Sequence, residues 1–523
     1  MRHLRRASLN TFAEFSIHSD LVSQNVDLMP KHDELHVISD LHMGGNDPKF
    51  QIFDQGPLLA SFIDSLTAKP ASRNVALCIN GDTVDFLAET SPAAKYLDPK
   101  YAIKKLDRIM KDASFRAVWK ALAQFVQTKN RTLILTLGNH DLELALPWVG
   151  EFLTEKLTGG HASASGRLEF CFDGQGYRCK VGKSEVFCIH GNDVDTWNIT
   201  DYEALRRLGR DFESGRVNSW SPNAGTRMVI DVMNEVKRKY PFIDLLKPEK
   251  AGLAAILYAL DPSISSAALQ SPAILGQLAW DKLLRTTGFL ADDDDDGDSE
   301  SRCDDSPPPA MLNPKDKLEL RTSKRATADE LLLTSNLQFE DGSLPRDLLS
   351  GVDSDSTLGM ISAFVSWARG RDKVEVLREA LENMGEFQGF DLKHLDDCFR
   401  DIDKLASDDI DFVITGHTHQ EKALCRQQGE GFYYNGGTWV RLMRLEPDVL
   451  KSERRFRRIY ASIATGTLEA LDKTPGLVMR RPAVVSVEAN GNTTKGSLKR
   501  PRLNGTQLHL ETVERSESER SKR

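Results

Sequence analysis

The sequence is poor in cysteine, with seven in 523 residues and no CxxC pair among them. That spacing excludes a disulfide framework and a structural zinc site, and it leads us to expect reduced thiols in a cytoplasmic protein. Long hydrophobic runs are missing too; none approaches the ~20 residues that a bilayer span needs. The basic start, Met1 to Arg6, is followed by no apolar stretch, so no secretory signal is expected. Net positive charge is also lacking. At −9 the chain is not a broadly basic coat for nucleic acid, although a local basic groove stays open. What remains, 40% hydrophobic and 28% charged residues, is ordinary for a soluble globular chain, and the length suits two to four domains.

The pattern begins at Glu34. The apolar run Leu35 to Ser39 breaks at Asp40-Leu41-His42. Val75 to Ile79 ends at Asn80-Gly81-Asp82, and Thr132 to Leu137 ends at Gly138-Asn139-His140-Asp141. Val186 to Ile189 ends at His190-Gly191-Asn192-Asp193, and Phe412 to Thr415 ends at Gly416-His417-Thr418-His419. Residues 52–68 and 101–129 read as helices between them. Five strands thus each stop at a cluster of Asp, Asn or His. Strand C-termini of an open α/β sheet are where ligands bind, so the spacing predicts an α/β fold with one shared site. Residues 422–424, 431–435 and 439–442 read as antiparallel strands around a Gly436-Gly437 turn.

Residues 195–405 interrupt this order with helical spacing, as in Met228, Val229, Val232 and Met233. We read them as a helical insertion or cap, with a disordered acidic segment at 291–310. The other divisions are an N-terminal extension (1–33), a first core part (34–194), a second core part (406–474) and a C-terminal strand pair with a polar tail (475–523). An Asn490-Gly491 turn marks the strand pair.

The donors at the five strand ends are oxygen and imidazole, without thiolate. Such a set suits first-row divalent ions. The carboxylates suffice for two ions, with one Asp bridging. Two ions about 3.5–4 Å apart generate hydroxide near neutral pH and clamp the oxygens of an in-line displacement at phosphorus.

The series Asp40-x-His42, Gly81-Asp82-x-x-Asp85, Gly138-Asn139-His140-Asp141, His190 and Gly416-His417-x-His419 resembles the calcineurin-like metallophosphoesterases, in that family's order. The resemblance covers 34–190 and 410–446. It implies a four-layer αββα sandwich of two mixed sheets. It also implies that Asp40, His42 and His419 bind one metal, that Asn139, His190 and His417 bind a second, and that Asp82 bridges both. His140 is then the catalytic group at the leaving oxygen, with Asp85, or alternatively Asp141, as its partner. The implied cofactors are two divalent ions, Mn²⁺ first, with Fe, Zn²⁺, Mg²⁺ or Ni²⁺ as alternatives.

Departures narrow the branch. Phe86-Leu87 after Asp85 is unlike the protein serine/threonine phosphatases, and Asp85 replaces the His usual in double-strand-break nucleases. His140 stands where UDP-2,3-diacylglucosamine hydrolases usually carry Arg. The resemblance is to the wider branch around those hydrolases. The expected activity is hydrolysis of a phosphodiester or pyrophosphate by metal-bridging hydroxide, with a small molecule or nucleotide as substrate. A nuclease acting on nucleic acid is the alternative, as is a regulatory protein built on this core. Asn192, Asp195, Trp197, Arg206 and Arg210 follow His190 closely and are candidate substrate contacts, Arg for bidentate phosphate recognition and Trp197 for stacking. The competing reading of the arginines is a solvated helix face. Lys495, Lys499, Arg500 and Arg502 are candidates for partner binding.

Overall fold

Strand β2 (Glu34–Ile38) is buried along its whole length, and its side chains alternate between two packing layers. Leu35 and Val37 enter one hydrophobic cluster, whereas Ile38 enters another. β4 (Val75–Asn80) divides in the same way, with Ala76 and Cys78 on one side and Leu77 and Ile79 on the other. This is the two-residue period of a strand buried on both faces. The structure, a computed structural model, describes residues 29–89, 96–195, 198–216, 222–246, 372–382, 391–445 and 447–521. Trp197 and the acidic segment 291–310 lie outside the described residues, as does most of the expected insertion.

Numbered in chain order, the larger sheet runs β17 (Gln507–Thr512), β16 (Thr493–Asn504), β15 (Val484–Asn490), β2, β4, β6 (Arg131–Thr136), β7 (Leu168–Cys171). β2, β4, β6 and β7 are parallel, and the three C-terminal strands are antiparallel. The second sheet runs β1 (Lys31–His32), β8 (Tyr177–Val181), β9 (Ser184–Cys188), β10 (Phe412–Thr415), β12 (Phe432–Gly436), β11 (Glu421–Cys425) and is mixed as well.

Three clusters fill the spaces between layers. One holds Leu35, Cys78, Ile134, Val186, Phe412 and Val485 between the two sheets. A second lies between the larger sheet and helices α1 (Gly56–Thr67), α2 (Arg116–Gln127) and α3 (Val149–Thr158). The third packs Phe399 and Ile402 of a helix at Asp397–Leu405 on Val413, Leu424 and Tyr433 of the second sheet. Three interlayer cores make four layers, helix–sheet–sheet–helix.

Several expectations need correction. The helix read over 101–129 is two, Pro99–Lys111 and Arg116–Gln127, and Asp112 between them accepts from Ser114 N. Arg441–Met443 pairs with Val478–Arg480 and stands apart from the strands at 421–436. The helix Asp397–Leu405, read as part of the insertion, is an outer layer of the sandwich. The residues read as a polar tail form β17 and, at Ser518–Ser521, a further strand beside β16. Their basic neighbours are ion-paired: Lys499 with Glu488 (2.9 Å), Arg500 with Glu421 (2.5 Å), Arg502 with Glu511 (3.3 Å) and Lys495 with Glu519 (3.7 Å). Cys425 is disulfide-bonded, which corrects the expectation of reduced thiols throughout, whereas Cys78, Cys171, Cys179, Cys188 and Cys398 are free. No described helix is long and apolar enough to cross a membrane.

Candidate metal centre

β2, β4, β6, β9 and β10 run in register, so the turns after them meet at one edge of the sandwich. The sheets bring together Asp40, His42, Asp82, Asn139, His140, His190, His417 and His419. Asp40, His42, Asp82, His417 and His419 all have positive φ, between 46° and 66°. Non-glycine residues enter that region at a cost of roughly 1–3 kcal/mol each, and they do so where the surroundings over-determine them. The surroundings here are specific. Asp40 O accepts from Thr438 Oγ1 (2.9 Å), and both Asp40 carboxylate oxygens accept from His417 N (3.1 Å each). Asn435 Nδ2 donates to Gly416 O (2.7 Å) and shapes the last turn. At Gly81 and Gly138 a Cβ would collide with His190 and Asp82 respectively, so the ligands approach bare backbone.

The donor atoms converge on two points. At the first, Asp40, His42 and His419 place one atom each within 4.8 Å of one another. His42 Nε2 and His419 Nε2 face each other at 3.1 Å, and His419 Nε2 is 3.3 Å from Asp40 Oδ1. At the second, Asp40, Asp82 and His190 converge likewise. Asp40 belongs to both, and a further group joins His42 and His140 to Asp82. Asp82 Oδ1 accepts from His140 N (2.9 Å), while Oδ2 lies 3.5 Å from His42 Nε2 and 3.3 Å from His190 Nε2. His190 Nδ1 donates to Asn80 O (2.8 Å), which turns Nε2 toward Asp82. His190 Nε2 and Asn139 Oδ1 are buried without hydrogen-bond partners. A buried acceptor left bare costs about 1–3 kcal/mol, and a divalent ion would satisfy both atoms. The residues therefore fit divalent-ion binding through oxygen and imidazole ligands.

The charges agree with this fit. Burial opposes ionisation of Asp82, yet His190, His140 and His42 hold its pKa well below the usual carboxylate range. Asp40 is likewise buried and is held at about 2 by His419 and His190. Burial opposes the charge on His190, but Asp82 and Asp40 raise its pKa to about 10. In the metal-free protein, protons therefore occupy the place of cations.

His140 stands beside this centre and is its more open histidine, with 19% of its side chain exposed. Its Nδ1 is 3.3 Å from Asp85 Oδ1. Burial lowers its pKa, but Asp85 and Asp82 outweigh that and hold it at about 9. Asp85 Oδ2 also lies 3.8 Å from His42 Nδ1. Asp141, the other possible partner of His140, accepts from Gly138 N and Thr83 N (2.7 Å each) and ties two turns together. Burial and Asp82 push its pKa up to about 8.

The candidate substrate contacts separate. Arg206 and Arg210 lie on the solvent face of α4 (Tyr202–Glu213), 68% and 61% exposed, and gather on Glu203. The structure does not bring them to the centre. Asn192 is buried, and its Nδ2 donates to Asn198 O (3.0 Å) and Thr200 Oγ1 (3.3 Å). Asp195 Oδ2 accepts from His417 Nε2 at 3.0 Å. That contact was not foreseen, because it joins residues 222 positions apart and leaves no local signal.

The calcineurin-like phosphoesterase family model matches residues 35–245. The match ends before His417 and His419, which the fold adds to the centre. No curated protein matches the chain.

Proposed function

Because residues 35–245 match the calcineurin-like phosphoesterase family, a family of metal-dependent phosphoesterases, we propose that the chain is a member and uses two divalent ions to hydrolyse a phosphodiester or a pyrophosphate. The observation that carries this reading is Asp82, whose Oδ2 faces a histidine nitrogen of each ligand group, at 3.5 and 3.3 Å. Asp40, His42 and His419 would hold one ion, Asn139, His190 and His417 the other, and Asp82 both. Divalent ions so placed acidify a water near neutral pH and withdraw charge from phosphoryl oxygens.

The chain's own part is positioning and proton supply. Asp85 engages Nδ1 of His140 and favours the cation, so Nε2 carries a proton on the accessible side of the ring. His140 Nε2–H donates to the oxygen that leaves phosphorus. A pKa of about 9 keeps this group charged at neutral pH and still able to give up its proton. Manganese is the first ion to test, since the oxygen donors of Asp40, Asp82 and Asn139 suit it, while the four imidazoles keep iron, zinc and nickel as alternatives.

The test is hydrolysis of bis-p-nitrophenyl phosphate and p-nitrophenyl phosphate by metal-stripped protein given Mn²⁺, beside Asp82→Asn. Diester cleavage that needs metal and is abolished in the variant, with its metal content reduced, is the expected result. Retained metal and rate in Asp82→Asn would refute the bridge, and cleavage of the monoester alone would make the enzyme a phosphatase.

A further inference from the structure

Asp195, just after the 3₁₀ turn Asn192–Val194, and Asn198 lie against the second group of ligands. Asp195 Oδ2 is 3.0 Å from His417 Nε2. A carboxylate only accepts, so Nε2 carries the hydrogen, and Nδ1 is the ring nitrogen left for an ion. Asn139 Nδ2 donates to Asn198 Oδ1 (3.4 Å), which leaves Asn139 Oδ1 buried and without a partner. The two contacts are joined, because Asn198 Nδ2 donates to Asp195 Oδ2 (2.9 Å). Asn198 is fixed in turn, its N–H donating to Asp195 O (2.8 Å) and its carbonyl accepting from Asn192 Nδ2 (3.0 Å).

We propose that Asp195 and Asn198 act as one clamp on the second ion's ligands, selecting the His417 tautomer and the Asn139 amide orientation, so that the seating of this turn sets second-ion affinity. This rests on the two-ion reading above. Both are positioning residues, since each acts through a ligand. The clamp's contacts at 3.0 and 3.4 Å are to His417 and Asn139, both assigned to the second ion. Outer partners of metal ligands typically change metal affinity by roughly 10–100-fold.

Calorimetric titration of Mn²⁺ into the metal-stripped full chain tests it. Wild type is expected to bind two equivalents. Asp195→Ala should keep the first and weaken the second by roughly 10–100-fold, with Asn198→Ala weakening the same one. Asp195→Asn should recover most of the affinity, because its amide oxygen still accepts from His417 Nε2. A second equivalent of wild-type affinity in both alanine variants would overturn the clamp. So would equal weakening of both equivalents in a variant that melts like wild type. A wild type that binds one equivalent would instead refute the two-ion reading, a distinct outcome.

Discussion

At the scale of single residues, His140 and Asp85 carry the sharpest expectations. His140→Ala should keep its metal and lose roughly 10²–10⁴-fold in kcat, the usual contribution of a general acid; metal analysis beside kinetics checks it, and lost metal would make His140 a ligand. Asp85→Asn removes a cause that raises the His140 pKa. The alkaline limb of the rate profile, expected near pH 9, should then move down toward the ordinary 6.5 of histidine. An unmoved limb would assign the proton to another group. These residues were legible because each ends an apolar strand, where a polar cluster has few structural reasons to recur five times. The choice of Asp85 over Asp141 was not legible. Asp85 follows the turn after β4 and Asp141 lies in the turn after β6, and only the fold shows Asp141 taken by two backbone N–H groups.

At the scale of elements, the helix Asp397–Leu405 is held by one buried side chain. Arg426 Nε donates to Asp403 Oδ1 (2.6 Å), and its other nitrogens donate to the carbonyls of Asp403, Ala406, Ser407 and Ile410. They satisfy carbonyls that a helix C-terminus leaves bare. Arg426→Ala strands the Asp403 carboxylate in the interior and should destabilise the protein by about 3–5 kcal/mol. Denaturant unfolding measures this, and a loss under 1 kcal/mol would show that the helix is held otherwise. The sequence placed this helix in the insertion because its apolar spacing names no partner. Likewise the period of α4 left Arg206 and Arg210 either inward or outward, and the ion pairs with Glu203 mark the outward face.

For the whole molecule, the crowd of titrating groups at the centre makes stability depend on pH and metal together. His140 and His190 have folded-state pKa values raised to about 9 and 10. Groups raised in this way stabilise the metal-free fold fully below their unfolded value near 6.5, and the contribution fades as pH climbs to the folded values. The melting temperature of metal-free protein should therefore fall between pH 7 and 10. Protein loaded with Mn²⁺ should hold its melting temperature over that range and melt higher throughout. Parallel curves with and without metal would refute the account. The α/β class was visible as alternating strands and helices and the four-layer plan came with the family resemblance, but the last strands were not visible. β17 is mostly exposed and carries charged residues such as Glu511, paired with Arg502 of β16, so its text reads as solvated chain.

β2 lies between β4 and β15, with residues Glu34–Val37 paired to 485–488. On the ribosome, then, β2 waits for its neighbour β15 until more than four hundred further residues have been made. At roughly 5–20 residues per second, that interval is on the order of half a minute to a minute and a half. During it Asp40 and His42 exist without His417 and His419, and Glu34–Ile38 shows an open edge. Until then the chain lacks part of its candidate metal centre, and a chaperone that shields strand edges would matter most in that interval.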